Sequence, residues 1–468
     1  MPPSSIVRRL SGSVVLWVMV GCAAVGPDHQ PPGMELPASF SQGGMSWKRQ
    51  TPGTLPAPQA WWRLYQDGTL TLLVGRSLAG NQEITASAAR LRQAREMSKA
   101  ARSLYFPDIN LGPTVNRAKT RYLGATSSAM LENNFIVPVD FRYEVDVWGK
   151  VRRQVESAGA SAEAAGETLN ALRLSVAGEV AQTYWALRAV DADRVVLTRT
   201  VEIRRKALDL LAKRRDVGSI SGLDLARAET EVATAEAERI RLDQDRVGLV
   251  NALAVLSGST ATGFTVAEQV ELPVPPSVPV AVPSELLRQR PDIRAAERRV
   301  AAANADIGVV TAAFYPSFTI NANGGLSAAG LADLLQASSL VWSLGAKATA
   351  PITRGKLLKA QQQAAVAAHE AVSAEYRQTV LDSIREVENA LQGAAILSRR
   401  QAAQDQALAA ARKTFDLSTK RFNSGLVSFL DVVDAERTRL DAERAANAIR
   451  AERLALSVSL IKALGGEW

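Results

Sequence analysis

Tyr105-Phe106-Pro107-Asp108-Ile109 returns roughly two hundred residues later as Phe314-Tyr315-Pro316-Ser317-Phe318, and that repetition decides the fold. In each copy an aromatic pair runs into a proline that ends a helical pattern, and an extended segment follows. Working outward, Gly218 and Asp224 six places on return as Gly425 and Asp431. Leu253 to Gly258 (LAVLSG) is matched by Leu460 to Gly465 (LIKALG). Each copy reads helix, two strands, then two long helices: 61–258 in the first repeat and 284–468 in the second. An internal duplication on this scale builds a pseudo-symmetric object.

The strands are expected at about 105–120 and 134–148, then at about 315–326 and 339–353. Phe135, Val137, Val139, Phe141, Tyr143, Val145 and Val147 are apolar at every second place. Ile136, Pro138, Asp140, Arg142, Glu144 and Asp146 lie between them. In the second copy Leu340, Trp342, Leu344, Ala346, Ala348, Ala350 and Ile352 alternate with a set that includes Ser343, Lys347 and Thr349. Alternation by itself favours a soluble sandwich, with the charges in water. It also fits a membrane barrel, with the apolar face in lipid and the charges lining a wet lumen. The leader and the flanking helices, below, tip the reading to the barrel.

Helical pattern starts near Trp61 and continues through Met97 to Ser103. The long helices are expected over 150–214 and 222–257, broken at Gly218, and over 355–422 and 429–464, broken at Gly425. A shorter helix covers 291–313, with Pro291 at its start. Leu169, Leu172, Val176 and Val180 form a narrow apolar seam, and Leu242, Leu249, Leu253 and Leu256 form another. Such helices pack side by side as hairpins. The proline-rich stretch 259–283 reads as a surface crossover between the repeats.

Aromatics make up only 5% of the 468 residues, which suits close-packed alanine-rich helices better than a thick globular core. The formal charge is +8; without Arg8 and Arg9 of the leader it is +6. Arg227, Glu229, Glu231, Glu236, Glu238, Arg239 and Arg241 mix signs along one helix. That reads as a solvated face and not as a nucleic-acid patch. The one cysteine, Cys22, excludes an intramolecular disulfide. Residues 1–21 read as a signal peptide, too short to span a membrane. Met19-Val20-Gly21-Cys22 resembles a bacterial lipobox, although that pattern prefers Leu where Met19 stands. The resemblance implies an acylated Cys22 at the mature N-terminus. Ala23 stands where the inner-membrane retention signal has Asp, which points to the outer membrane. Residues 22–60 then form an extended, lipidated tether.

Four strands cannot close on themselves, and unpaired edges in lipid cost several kcal/mol per group. Several chains must therefore share one barrel: about eight strands from two copies, about twelve from three.

Several stretches together resemble the TolC-like outer-membrane factors, in their NodT-type lipoprotein branch. Val25-Gly26-Pro27-Asp28 resembles that branch's mature N-terminus. Pro283-Ser284-Glu285-Leu286-Leu287-Arg288-Gln289-Arg290-Pro291-Asp292-Ile293 is very similar to its central signature. Phe106-Pro107 and Tyr315-Pro316 match its helix-to-strand junctions, and Gly425 to Ala435 (GLVSFLDVVDA) its tip turn. The resemblance implies a mixed α and β membrane protein. Four strands per protomer would join a shared twelve-stranded trimeric barrel above a long α-helical hairpin tunnel in the periplasm. It implies a passive exit duct for efflux (the RND type foremost) or type I secretion. The partners implied are the homotrimer, a periplasmic adaptor, an inner-membrane pump and outer-membrane lipid.

Asp224, Asp431 and Asp434 match the family's acidic positions at the tunnel tip, and Gly218 and Gly425 its tip turns. A ring of carboxylates at a narrow mouth favours cations and can block or select. Ser221 stands three before Asp224, and Ser428 three before Asp431, so both acids also fit a capping-box spacing. The family pattern has Tyr where Phe422 stands and Arg where Val427 stands, so its polar lock is missing here. Arg227 and Arg421 are the candidate substitutes, or simply solvated. Trp61 and Trp62 read as packing or as tether anchors, and Tyr143, Trp148 and Trp342 as girdle residues or ordinary core.

Two other classes compete. An enzyme is disfavoured because the chain has two histidines, His29 and His369, and no P-loop, HExxH or CxxC. The scarcity of His, Met and Cys also disfavours a dedicated soft-metal site, and no cofactor is expected. A lipid-anchored periplasmic adaptor or a coiled-coil scaffold remains the alternative. Two hairpins with two strand pairs, and no further β-rich segment, argue against it.

Overall fold

The computed structural model describes residues 24–37, 40, 58–121, 129–277 and 289–466. The leader, Cys22 and the 283–288 part of the central signature lie outside them. A 3-10 helix at Pro58–Tyr65 leads into α1 (Gly68–Gly80) and α2 (Gln82–Ser103). Strands β1 (Asp108–Leu111), β2 (Thr114–Arg121) and β3 (Ala129–Val145) follow, then the long helices α3 (Lys150–Asp216) and α4 (Gly222–Leu256). The second repeat gives α5 (Pro291–Ala312), β4 (Ser317–Ala328), β5 (Leu340–Thr349), α6 (Gly355–Asn423) and α7 (Phe429–Ala463). The 67 residues of α3 rise about 100 Å along the helix axis.

Two expectations need correction. The stretch from Trp61 to Ser103 is three pieces, not one helix. Gln66 takes a φ of 53°, and Asp67 then caps α1 by accepting from Leu70 N at 2.8 Å. Asn81 ends α1 and starts α2, its Oδ1 accepting from Glu83 N and Ile84 N at 2.9 and 3.1 Å. The first strand is likewise two segments. Gly112 and Pro113 interrupt it, since proline has no N–H for the ladder, and β1 and β2 both pair with β3.

The chain forms two compact units, and neither coincides with a repeat. The first takes in Met1–Gly33, Arg90–Ala165 and Ala295–Arg377. The second takes in Met34–Ala89, Gly166–Arg294 and Gln378–Trp468. Both repeats feed both units, because strands of each repeat join one sheet and helices of each pack together.

The first unit holds an antiparallel sheet in the order β1–β3–β4–β5, with β2 also on β3. Its register sorts the side chains by face. Ile109 lies opposite Phe141, Phe141 opposite Ala322, and Ala322 opposite Leu344. Asn110, Asp140, Asn323 and Ser343 align in the same way on the other face. β1 and β2 pair only with β3, and β5 only with β4, so among the described residues the sheet stays open at both edges. No described helix is long and apolar enough to cross a membrane.

In the second unit the core gathers around an aromatic cluster. Trp61, Trp62, Tyr65, Tyr184 and Trp185 are all buried, with Tyr65 and Trp185 centroids 5.3 Å apart. Tyr65 shares a 2.6 Å hydrogen bond with Ser457 of α7. Tyr184 Oη donates to Asp67 at 2.6 Å, which ties the α1 cap to α3. Burial raises the pKa of both phenols. Leu197, Leu242 and Leu440 join α3, α4 and α7 farther along. The crossover is tied down at 266–269: Arg188 donates to Ala267 O at 2.7 Å and Arg246 to Val266 O at 2.8 Å.

Candidate functional site

The two helical hairpins end in matching turns. Gly218 and Gly425 have φ of 72° and 74°, in the left-handed region that glycine enters without a Cβ clash. At the first turn Gly218 N donates to Arg215 O at 2.8 Å, and Ser219 N to Arg214 O at 2.9 Å. At the second, Gly425 N donates to Phe422 O at 3.0 Å and Leu426 N to Arg421 O at 2.9 Å. Both are Schellman closures, which satisfy the last carbonyls of a helix.

The acidic residues follow at once. Ser221 Oγ accepts from Asp224 N at 3.2 Å and caps α4. Ser428 and Asp431 complete a reciprocal capping box on α7. The Ser428 hydroxyl and N–H both donate to Asp431, and this holds its carboxyl below the usual range. Asp434 is exposed one helical turn on. The spacing thus makes caps of Asp224 and Asp431 and leaves Asp434 outside the cap.

The two candidate substitutes for the missing polar lock do little here. Arg227 Nη1 stands 3.9 Å from Asp224 Oδ1 with both groups in solvent, a weak pair. Arg421 is exposed and acts on Asp431 only through space. Phe422 is engaged by a different cation: the Arg214 guanidinium lies 5.0 Å over its ring, and the Phe429 ring lies 5.8 Å away. An aromatic-cation contact thus links the two hairpins near their turns.

A second set of charges escaped the sequence reading altogether. Arg204 of α3 meets Glu231 of α4 at 2.9 Å and Glu436 of α7 at 3.0 Å, with all three side chains under 10% exposed. Glu231 was expected on a solvated face; it is buried, and Arg437 also pairs with it. Desolvation raises the Glu436 pKa, against the pull of Arg204. A signal was present. Glu231 falls on the helical stripe of Ala228 and Ala235, and Glu436 on that of Val433 and Leu440, all of them buried. No group of three or more metal-ligating side chains comes together among the described residues.

Within the first unit residues 25–29 are docked. Val25 N donates to Trp148 O at 3.0 Å, and Asn304 donates to Pro27 O at 2.8 Å. Buried Arg153 holds Asp28 at 2.8 Å, and His29 meets Glu297 at 2.6 Å. Gly26 has a φ of 94°, and a Cβ there would stand 2.6 Å from Gly308 Cα. The tether expected over 22–60 is therefore extended at 24–33 but strapped to the fold. Trp148 stacks on Tyr315 with centroids 4.7 Å apart and donates to Pro316 O at 2.8 Å, joining the β3–α3 turn to the α5–β4 junction. It is a joint residue. Trp342 is 77% exposed, on the same sheet face as the half-buried Tyr143.

That face carries exposed Ile109, Leu111, Val115, Val139, Leu340 and Leu344. An exposed apolar band of this extent needs lipid or protein to cover it. The opposite face is polar, with Asn323 donating to Asp140 across the strands. An open sheet with a bare apolar face, joined to helical hairpins, defines a channel-forming membrane protein.

The family model described as "Outer membrane efflux protein" matches residues 73–259 and 282–466, one match in each repeat. The chain belongs to that family. It is 31% identical over 415 residues to a pyoverdine export outer membrane protein of Pseudomonas aeruginosa, covering 87% of both chains. A toluene efflux pump outer membrane protein of Pseudomonas putida is 27% identical over 464 residues, covering 97% of this chain and 96% of that one. Among solved structures, the outer-membrane channel OprN superposes with a TM-score of 0.87 at 29% identity, covering 95% of this chain and 99% of that one. The Vibrio cholerae outer membrane protein VceC gives 0.82 at 27% identity, over 88% of this chain and all of that one. The protein is an outer-membrane channel component of an efflux system, with the mixed α and β channel fold. The adaptor and scaffold alternatives are not supported.

Proposed function

We propose that three copies of this chain form a passive duct, anchored through acylated Cys22 and gated by carboxylates at the hairpin tips. The observation that carries the duct is the sheet: most of its apolar residues share one face, with Ile136, Pro138 and Val341 among the exceptions, and among the described residues both edges are open. Three such sheets, edge to edge, satisfy the backbone groups in lipid. The strapped segment 24–33 supports the anchor, because it brings Ala24 and Val25, two and three places after Cys22, to the turn at Trp148 and Gly149. A periplasmic adaptor and an inner-membrane pump, of the RND type or of a type I secretion system, complete the assembly. The duct itself performs no catalysis, and the pump sets the cargo.

At the tip, Asp224, Asp431 and Asp434 act as the gate, with Gly218 and Gly425 shaping the turns and the Phe422–Arg214 contact holding the hairpins together. Asp434, which takes no part in the cap, is the clearest gate residue. Single-channel recording in planar bilayers tests the reading. Wild-type protein should give a small conductance with cation preference, and Asp431→Asn with Asp434→Asn should enlarge it and weaken the preference. Unchanged conductance and selectivity would leave these acids as caps alone. Absence of any channel from wild-type protein would reject the duct. Cys22→Ser should abolish incorporation of radiolabelled palmitate, and retained label would reject the anchor.

A further inference from the structure

A cavity of about 140 Å³ opens among α3, α4, α6 and α7, close to the hairpin tips. One chain supplies all four helices, so the site is complete without a partner copy. Ile203, Leu210, Phe415, Phe422, Phe429 and Val432 make its walls apolar. Its polar corner is the cluster of Arg204, Glu231 and Glu436. Glu436 uses Oε2 to accept from Arg204 Nε at 3.0 Å. Its other oxygen, Oε1, is buried and among the described residues has no hydrogen-bond donor, on a side chain 6% exposed. Such an acceptor is costly to leave empty.

The surrounding charges decide what would fill it. Arg204, Arg412, Arg437 and Arg439 stand against Glu231, Glu436 and Glu443, and Arg214 lies over Phe422, so the surroundings carry no excess of negative charge. A cation would lose its water with no net negative charge to receive it. Two of the phenyl faces are already taken, Phe422 by Arg214 and Phe415 by Arg439, at 5.0 and 4.9 Å. A neutral donor on a flat apolar body fits both needs. An apolar void near 150 Å³ takes a single benzene ring.

We propose that this cavity binds a small monocyclic phenol, its ring among Phe415, Phe422 and Phe429 and its hydroxyl donating to Glu436 Oε1. Conduction through the duct does not require this site, and it stands whether or not the tip acids act as a gate. The occupant would lie between the two hairpins of one protomer.

Photolabelling of the full-length protein in lipid nanodiscs tests it, with 4-azidophenol against 4-azidotoluene. The second probe keeps the size of the first and lacks the donor. The phenol should label peptides spanning 415–436 about tenfold more strongly, the worth of one hydrogen bond to a charged acceptor. Excess unlabelled phenol should protect those peptides. Glu436→Leu should bring the two probes level. Equal labelling of wild-type protein by both probes, or label that excess phenol does not remove, overturns the proposal. The two-probe comparison on unaltered protein decides the matter even if Glu436→Leu fails to fold.

Discussion

Ser428 and Asp431 hold each other at the start of α7: Ser428 N donates to Asp431 Oδ2 at 2.9 Å, and Asp431 N donates back to Ser428 Oγ at 3.4 Å. Ser428→Ala should cost about 1 kcal/mol of local stability at the helix start. Amide exchange at 430–432 should quicken. The pH dependence has a definite sign. The Asp431 pKa is depressed below its ordinary 3.8, so the cap is at full strength above that value and fades as pH falls through the depressed one. Exchange at the tip should therefore quicken on acidification below 3.8 in wild-type protein, and Asp431→Asn should lack that step.

Asp191 binds two arginines where water cannot reach: Arg188 Nη1 at 2.9 Å and Arg246 Nε at 2.7 Å, with Gln269 N at 3.3 Å. Asp191→Ala takes the carboxylate from two arginines, one of them fully buried, and the acceptor from Gln269 N of the crossover. The expected loss is about 3–5 kcal/mol, read from chemical or thermal unfolding. Asp245, in an exposed pair with Arg241, should cost only about 0–1 kcal/mol when changed to Ala.

Arg153 gathers Asp28, Glu156 and the carbonyls of Val25 and Gly26. Arg153→Ala should release the strap, and limited proteolysis should then cut within 24–33 at protease levels that spare wild-type protein. Gly26→Ala should do the same through its clash with Gly308, with Arg153 intact. Protection unchanged in both variants would mean that the remaining contacts suffice.

Glu238 is held by Arg241 and then by Arg444, and its pKa falls to about 2 from an ordinary 4.5. Its contribution to stability is complete above 4.5 and is lost as pH drops toward about 2. The group is about one-third exposed, so solvent screening keeps the effect modest. Glu238→Gln should lower the plateau above 4.5 modestly and flatten the acid limb, so that its urea midpoint, followed against pH, meets that of wild-type protein as pH nears about 2.

Much of the fold is legible because its signals are local. The alternation from Phe135 to Val147 needs no knowledge of a partner strand. The glycines at 218 and 425 and the serines at 221 and 428 announce turns and caps through chemistry that acts within six residues. The break at Asn81 is harder to see, since Asn81 acts as both stop and start and also reaches Leu256 O at 3.0 Å. At the candidate site, the acids were legible through their spacing. The Arg204 cluster was not, because its members are 27 and 232 residues apart along the chain.

The sequence alone determined the repeat, the strand and helix periods, the hairpin turns and the caps, since each depends on neighbours within a few residues. Only the tertiary structure decided which strand faces which, that Glu231 and Glu436 are buried against one arginine, and that the segment after Cys22 is strapped down. Those outcomes depend on which distant elements meet, and the cost of burying a charge or the gain from pairing an edge exists only once they do.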